Sequence, residues 1–336
     1  MAWRNPWYDP DKPHHTPAGF RNPEEELRAR GDLKRWRKER KAAGLPFPPA
    51  QGYAHFTREW WQEADLAGSD DAVWWLGHAS LLLRTAGQYS LIDPVLSARV
   101  SPVSFLGPER KTPPPLALSQ LASLSCVLIS HSHYDHLDRP TIKKILRRFP
   151  DVLFVVPLGL APWFRNVGAR NVVQLDWWET TQAAGLNIHA VPARHWSMRT
   201  PFDRNRSLWC GWVIKTDKLS FWFTGDSGYS DNLLEIPRRL GPFNLAALPV
   251  GAYAPEWFMR GQHMNPAAAV SLHKFLGEPI SIPVHWGVFE LADESLDEPP
   301  RILMETMRAA GMDERRFCAW RIGEKRSLNN LDQDKS

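Results

Sequence analysis

The chain has 336 residues, of which 43% are hydrophobic and 23% are charged, a balance that is typical of a globular protein with a sizeable core. Its length allows one large domain or two ordinary ones, and the sequence lacks the run of about 18 apolar residues that a membrane-spanning helix requires. Residues 1–60 contain 12 Lys and Arg against 8 Asp and Glu, so that 12 − 8 = +4 already equals the net charge of the chain. A broad basic face of the kind that binds nucleic acid is therefore not expected.

The cysteines indicate a reducing compartment. Cys126, Cys210 and Cys318 are too few and too widely spaced for a disulfide framework or a CxxC zinc site. The first residues show no basic segment followed by an apolar one, so no secretory signal is visible. We therefore expect a cytoplasmic protein.

The first predicted element is a basic helix over residues 23–43. Asn22 can cap it, Pro23 and acidic residues occupy its first turn, and Gly44 can end it. Its second half is a cluster of Lys and Arg around Trp36. Two interpretations stay open: a solvated helix that lies on the domain, or an anchor to anionic lipid headgroups, where Trp and basic residues are favoured.

Apolar runs and turn signals predict the elements that follow. We expect strands over residues 73–76, 80–85, 89–92, 126–130, 152–156, 171–175, 188–191, 209–214, 220–224, 245–250 and 280–284, and helices over 140–148, 231–240, 266–276 and 299–310. Strands that are first grouped and then alternate with helices predict an α/β protein of two sheets with helices outside.

A group of metal-ligating side chains follows the predicted strand 126–130. His131 and His133 are two apart on an extended segment and point to the same side, and Asp135 and His136 follow where the chain turns. This HxHxDH spacing can supply ligands to two adjacent ions.

Three further candidates, His195, Asp226 and His285, each come just after an apolar strand. Any one of them alone could be a satisfied core residue. Together they complete a set in which three histidines hold one ion, an Asp and two histidines hold the other, and a carboxylate is shared. Such a set leaves coordination positions open, which is typical of catalytic rather than structural zinc.

The order of these residues resembles that of the metallo-β-lactamase superfamily. Residues 74–323 resemble one branch of it almost without gaps, the N-acyl-phosphatidylethanolamine-hydrolysing phospholipases D. The most specific stretches are Asp-Trp-Trp-Glu at 176–179 and Gly-Ala-Tyr-Ala-Pro-Glu-Trp-Phe-Met at 251–259. The resemblance implies an αββα sandwich of two mixed sheets over residues 69–323, after an N-terminal extension with the basic helix (1–68) and before a polar tail (324–336).

The resemblance also implies which residue binds which ion. We expect two zinc ions, or other divalent transition metals, with His131, His133 and His195 on one, Asp135, His136 and His285 on the other, and Asp226 bridging. Of these, Asp135 and Asp226 are also expected to take part in catalysis.

Residues around the ligands are assigned in the same way. Asp93 would orient a ligating imidazole from behind, with a simple turn Asp before Pro94 as the alternative. Tyr134, Gln262 and His263 would line the substrate cleft, and His263 would be catalytic. A surface helix cap is the alternative for Gln262 and His263.

Some positions keep open interpretations. Arg139 stands where animal members of the branch have an aromatic residue near the substrate. His78 could face the cleft or make a structural hydrogen bond. His14 and His15 are a weak candidate for a further metal site.

The expected function is metal-dependent hydrolysis of a phosphodiester by a hydroxide that bridges the ions, which requires no protein nucleophile. By resemblance the substrate is N-acyl-phosphatidylethanolamine and the products are phosphatidic acid and an N-acylethanolamine. Two rivals stay open: a hydrolase of the same fold that acts on a lactone, β-lactam or nucleic acid, and a non-enzymatic binder of membranes or nucleic acid. The expected partners are the phospholipid, the inner face of the membrane and a second copy of the chain, but not nucleic acid.

Overall fold

The computed structural model describes residues 3–25 and 27–331, without the side chain of Asn330. Its strands are β1 (His15–Thr16), β2 (Gly19–Phe20), β3 (Ala72–Gly77), β4 (Ser80–Thr85), β5 (Gln88–Ile92), β6 (Cys126–Leu128), β7 (Leu153–Pro157), β8 (Asn171–Leu175), β9 (Thr180–Ala183), β10 (Leu186–Val191), β11 (Gly211–Lys215), β12 (Ser220–Phe223), β13 (Leu245–Pro249), β14 (Ile280–Val284) and β15 (Lys325–Ser327).

The α-helices are α1 (Asp32–Ala43), α2 (Gly52–Trp60), α3 (Arg139–Arg148), α4 (Ala161–Asn166), α5 (Asp231–Leu240), α6 (Glu256–Met259), α7 (Pro266–Phe275) and α8 (Glu298–Ala309). Within the described residues, no helix combines the length and the apolar character that crossing a membrane requires.

Two mixed sheets form the centre of the protein. The seven-stranded sheet has the order β15-β3-β4-β5-β6-β7-β8, with β5 to β8 parallel, and the six-stranded sheet has the order β14-β13-β12-β11-β10-β9, with β12 to β14 parallel. The predicted αββα class is confirmed by these layers.

Strand β4 shows how the sequence creates the layers. Its side chains alternate between the two faces of the sheet because the strand repeat is two residues. Leu81 and Leu83 belong to a core cluster that also contains the strands of the second sheet. Leu82, between them, packs in another cluster with Ile142 and Ile145 of α3. The strand is therefore apolar on both faces, because one face meets the second sheet and the other meets a helix.

The elements predicted between residues 73 and 310 are all found, with ends displaced by at most two residues. Helices α2, α4 and α6 and strands β1, β2, β9 and β15 had not been expected. In β9, a polar edge strand of Thr180–Ala183, no residue is fully buried, so its sequence carries no apolar alternation to detect.

The predicted helix over residues 23–43 is wrong for residues 23–31. The helix begins only at Asp32, after Gly31, which has a left-handed φ of 104°. The residues before it run over the body of the protein and contact distant segments instead of forming helical turns. The predicted acidic first turn includes residue 26, which lies outside the described residues.

The C-terminal boundary also differs from the prediction. Residues Lys325–Ser327, assigned to a polar tail, form β15 and pair antiparallel with β3. Leu328 and Leu331 are buried. The folded unit therefore continues beyond residue 323, while residues 332–336 of the predicted tail lie outside the described residues.

Candidate metal centre

The first group of predicted ligands meets just after the ends of β6 and β10, which belong to different sheets. The Nδ1 atom of His133 lies 2.8 Å from Nε2 of His131 and 3.1 Å from Nε2 of His195. His195 Nδ1 donates to the backbone carbonyl of Gln262 at 3.1 Å, and His131 Nδ1 faces the Ser130 hydroxyl at 2.9 Å. With their Nδ1 atoms occupied, His131 and His195 both direct an Nε2 lone pair at the same point, as metal ligation requires.

The second group lies beside the first and shares Asp226 with it. The Nε2 atoms of His136 and His285 each lie 3.4 Å from Asp135 Oδ2 and 3.1 Å from Asp226 Oδ2. The same Asp226 oxygen is 3.8 Å from His131 Nε2 and 3.6 Å from His195 Nε2. Asp226 therefore occupies the bridging position between the two groups.

The donor atoms fit two cations. His136 Nε2, His285 Nε2 and Asp226 Oδ1 are buried and have no hydrogen-bond partner among the described residues. Buried polar atoms without a partner are costly, so a set that converges on one point indicates a ligand that completes them. Each of the two groups holds donor atoms within 4.8 Å of one another, together with His78 in the second group. The structure brings all seven predicted ligands together, and their assignment to particular ions stays a prediction.

Burial and neighbouring charges set the protonation of the ligand side chains. Burial raises the pKa of Asp226, but the positive His136 and His285 outweigh it and hold this pKa well below its usual value. Burial and neighbouring histidines keep the pKa of His131 far below its usual value, so that this imidazole is neutral. Burial lowers the pKa of His285, but Asp226 and Asp135 raise it further, to about 9. Binding of a cation at His285 therefore has to release a proton.

The backbone is strained where it presents these groups. His78, Asp93 and His285 have φ values of 53°, 42° and 67°, in the left-handed region that costs residues other than glycine about 1 to 3 kcal/mol. Gly225, just before Asp226, has a φ of 64°, and a Cβ atom there would approach Cys210 O to 2.8 Å. Such strain persists only where the surrounding structure fixes it, which is common at functional sites.

A family model described as "Beta-lactamase superfamily domain" matches residues 89–286, more than half of the chain. The chain belongs to the beta-lactamase superfamily. It is 40% identical over 246 residues to N-acyl-phosphatidylethanolamine-hydrolyzing phospholipase D 1 of Caenorhabditis elegans, covering 70% of this chain and 69% of that protein. The predicted resemblance to this branch is thereby confirmed.

Two further relatives support the family and the fold. The mitochondrial N-acyl-phosphatidylethanolamine-hydrolyzing phospholipase D of Saccharomyces cerevisiae is 34% identical over 251 residues, covering 73% of this chain and 53% of that protein. The chain thus spans between about half and about two thirds of the length of these curated relatives. A possible metal-dependent hydrolase from Veillonella parvula has a similar structure, with a TM-score of 0.62, 15% identity and coverage of 77% of this chain and 100% of that chain. At that identity the similarity concerns the fold alone.

Behind the ligands of this superfamily member, Asp93 lies where the resemblance implied. Its Oδ2 accepts from His136 Nδ1 at 2.7 Å and from the Ser130 hydroxyl at 2.5 Å, and its Oδ1 accepts from the Ser130 amide at 2.7 Å. An Asp that only formed a turn before Pro94 would not make these three hydrogen bonds, so this alternative is wrong. His78, which had two open interpretations, donates from Nε2 to Asp135 Oδ2 at 2.9 Å and so supports the second group of ligands.

Four of the seven ligands, His133, Asp135, Asp226 and His285, line a cleft of about 740 Å³. The predicted cleft residues Tyr134, Gln262 and His263 all line it. Since α7 begins at Pro266 with Asn265 as its cap, Gln262 and His263 are not a helix cap. His263 Nδ1 is buried without a hydrogen-bond partner among the described residues and lies 4.0 Å from Asp226 Oδ2.

Sequence reasoning missed two residues that hold the ligand segments in place. Asn22, expected to cap a helix, instead bonds the backbone of His195: its amide donates to His195 O at 2.9 Å, and its oxygen accepts from His195 N at 3.2 Å. Arg199 donates through Nη1 to the carbonyls of Ser132 and Leu137, at 2.7 and 2.8 Å, and so joins both ends of the HxHxDH loop. Arg199 belongs to no recognisable motif and the cap signal of Asn22 indicated a different role, because each acts through backbone groups far along the chain.

The pair His14 and His15 lies in a buried group with Asp176, whose ligand atoms are within 4.8 Å of one another. Their Nε2 atoms lie 2.7 and 2.9 Å from the carboxylate of Asp176, and the Lys12 ammonium lies 2.6 Å from it. Burial raises the pKa of Asp176, but His14 and Lys12 outweigh it and hold this pKa well below its usual value. The Lys12 ammonium already pairs with this carboxylate, and the cluster clamps the N-terminal segment to the domain.

Proposed function

We propose that this metal-dependent hydrolase cleaves N-acylated phosphatidylethanolamine into phosphatidate and an N-acylethanolamine. The observation that carries the proposal is the position of Asp226, between two ligand groups at the floor of an open cleft. Relatives that bear the name of this activity are 40% and 34% identical to the chain, which supports the substrate.

We further propose that two zinc ions occupy the site. Five imidazoles and two carboxylates form a mixed nitrogen and oxygen set that suits zinc. When bound, the pair of ions would polarise the phosphoryl oxygens and lower the pKa of a water molecule, so that water can attack phosphorus.

The residues of the chain position the ester and the leaving group. The bond between phosphorus and the ethanolamine oxygen breaks, and that oxygen leaves as an alkoxide that has to receive a proton. His263 faces the same space as Asp226, and burial lowers its pKa to about 3. A neutral His263 can therefore donate a hydrogen bond toward the leaving oxygen and pass on the proton of the attacking water.

The walls of the cleft suit an anionic lipid. The apolar part of the lining includes Leu33, Trp36, Met198, Phe258, Met259 and Leu291, and its cationic part includes Arg28, Arg30, Arg37 and Arg204. Apolar walls bury hydrocarbon, while guanidinium groups attract the phosphodiester. Helix α1 thus contributes to the wall of the cleft as well as lying on the domain.

We retain the proposal that α1 helps the enzyme to stay on an anionic membrane surface. Trp36 fixes the helix, with its ring stacked on Phe258 and its Nε1 donating to Asp293 at 3.0 Å. The exposed Lys34 and Lys38 are free of ion pairs among the described residues. Replacing both by Gln should weaken binding to anionic vesicles, and the same change at Lys218 and Lys274 is the matched control.

The location and assembly belong to the same proposal. We propose a cytoplasmic enzyme at the inner face of the membrane that assembles as a homodimer. Cell fractionation tests the location, and sedimentation of the purified protein tests the assembly.

Product identification tests the function. The metal-loaded enzyme, incubated with a mixed lipid extract, should convert N-acyl-phosphatidylethanolamine to phosphatidate and N-acylethanolamine, as mass spectrometry of the lipids would show. In ¹⁸O-water the label should enter the phosphatidate alone, because water attacks phosphorus. Label in the N-acylethanolamine, or turnover confined to lactones, β-lactams or nucleic acid, would refute the proposed function. The rival, a hydrolase of the same fold with another substrate, would then be favoured.

A further inference from the structure

Two loops beside the cleft carry the most exposed large apolar side chains that the structure describes. In the loop 101–107, Phe105 and Leu106 are 80% and 67% exposed, and in the loop 199–206, Phe202 is 79% exposed. Exposed aromatic side chains that lie close to one site indicate an interaction surface more often than scattered ones do. We call these two loops together the loop face.

The loop face surrounds a second cavity next to the catalytic cleft. This cavity has a volume of about 740 Å³ and shares the side chains of Tyr134 and Arg199 with the cleft. Residues 101–104 of the first loop and residues 199, 200 and 203 of the second form part of its wall. The first two turns of α3, with Arg139 and Lys144, form another part.

The second cavity is strongly cationic. Its lining contains Arg99, Arg139, Lys144 and Arg199 against one acidic residue, Asp203. Asp203 Oδ1 is already engaged, since it accepts from the backbone amides of residues 199 and 200 at 2.9 and 2.8 Å.

The individual cations of this lining differ in how well they are neutralised. Arg99 pairs with Glu109 at 3.1 Å. Arg199 donates to two backbone carbonyls and has no carboxylate within 4.0 Å among the described residues. Arg139 and Lys144 are exposed and have no ion-pair partner in the part of the chain that the structure describes. Two cationic side chains are therefore available to an anion that enters the cavity.

We propose that the loop face docks on an anionic phospholipid bilayer, with Phe105, Leu106 and Phe202 entering the acyl region and Arg139 and Lys144 taking a headgroup phosphate. Apolar tips beside cations are the combination that an interfacial membrane site requires, because hydrocarbon burial and attraction to anionic headgroups add together. A soluble anion would use the cations but would leave three apolar side chains in water. The inference rests on the proposed function in one respect, since docking through these loops would bring the neighbouring cleft to the lipid that it cleaves.

The test is flotation of the full-length, metal-loaded protein with vesicles that contain no N-acyl-phosphatidylethanolamine. Phosphatidylcholine vesicles are compared with vesicles of phosphatidylcholine mixed with phosphatidylglycerol. The variant with Phe105→Ser, Leu106→Ser and Phe202→Ser should lose at least about tenfold in partition coefficient on the mixed vesicles. Phe47→Ser, at a residue that is 61% exposed elsewhere, is the control and should bind normally.

The charges are tested on one helix. Arg139→Gln with Lys144→Gln should reduce binding to mixed vesicles by roughly fivefold per charge, and the loss should shrink at high salt. Lys143→Gln with Arg147→Gln removes the same charge from exposed positions of α3 outside the cavity and should have a smaller effect. Equal losses in the two pairs, equal binding to neutral and mixed vesicles, or normal binding of the triple loop variant would each overturn the proposal.

The outcomes separate docking from catalysis. A protein that floats through the loop face but leaves N-acyl-phosphatidylethanolamine intact would refute the proposed function and keep the docking surface. A protein that hydrolyses this lipid in detergent and does not depend on the loop face for flotation would refute the docking surface and keep the proposed function. Turnover of a small soluble phosphodiester by the loop variants should stay normal, which shows that they are folded.

Discussion

Replacing Asp93 by Asn should remove one of the two metal ions and leave the other. The Asp93 carboxylate accepts three hydrogen bonds, one from His136 Nδ1 and two from Ser130. An Asn side chain has the same shape but offers only one oxygen, and its NH₂ group has to face one of these donors. If the oxygen stays with Ser130, the NH₂ group faces His136 Nδ1 and favours the tautomer that carries its proton on Nε2.

The size of the effect follows from this geometry. A His136 protonated on Nε2 directs a proton, and not a lone pair, at the second ligand group. Loss of a partner that orients a metal-ligating histidine typically costs 10 to 100-fold in affinity, or about 1.4 to 2.7 kcal/mol. The first group should keep its ion, because His131 is oriented by the Ser130 hydroxyl and His195 by the Gln262 carbonyl.

Metal analysis after dialysis against a weak chelator would measure this difference. The wild type should retain two ions and Asp93→Asn close to one, with phosphodiesterase activity falling together with the second ion. Ser130→Ala is the comparison with the opposite pattern, since it keeps the carboxylate on His136 but removes the hydroxyl that orients His131, and it should weaken the first ion rather than the second. An Asp93→Asn protein that holds both ions as tightly as the wild type, or that releases both together, would refute this account of Asp93.

Three further variants test other parts of the site. Asp226→Ala should abolish metal binding and activity together, because this carboxylate lies between the two groups; an active, metal-loaded variant would disprove the bridging role, as metal analysis and kinetics would show. Asn22→Ala should weaken binding of the ion at His195 and spare the other ion, whereas Asp93→Asn should affect the ion at His136; titration with a chelator measures both affinities. Asp176→Asn should expose the N-terminal segment to limited proteolysis at neutral pH, because the buried carboxylate that pairs with Lys12 and bonds His14 and His15 is lost. Since the pKa of Asp176 is lowered by folding, its contribution is present above the unfolded pKa of about 3.9 and is lost only as the pH falls below it toward the folded value, so the wild type should become equally sensitive only in acid.

The sequence predicted the strands and the ligands well because both depend on local patterns. A strand such as β14, with all five residues buried, is visible as an apolar run, and His285, which follows it directly, marks the edge where parallel strands end together. The prediction of a helix over residues 23–31 was wrong because contacts with residues far along the chain determine this segment's structure more strongly than its local helix signals do. Asn22 is a residue type that commonly caps helices, yet its side-chain amide donates to the backbone carbonyl of His195. No pattern within residues 22–31 could indicate a partner more than 160 residues away.

The same contacts change the meaning of the N-terminal segment. The boundary drawn at residue 68 treats it as an addition to a complete hydrolase domain. In the structure, Phe20 is buried in the main core, Asn22 holds the backbone of His195, and residues 28–33 form one side of the cleft. The segment is fixed to the domain through the buried carboxylate of Asp176 and through the stacking of Trp36 on Phe258. Since removing it would expose the backbone of a ligand and open one wall of the cleft, we expect substrate selection and metal retention to depend on residues that precede the family match at residue 89.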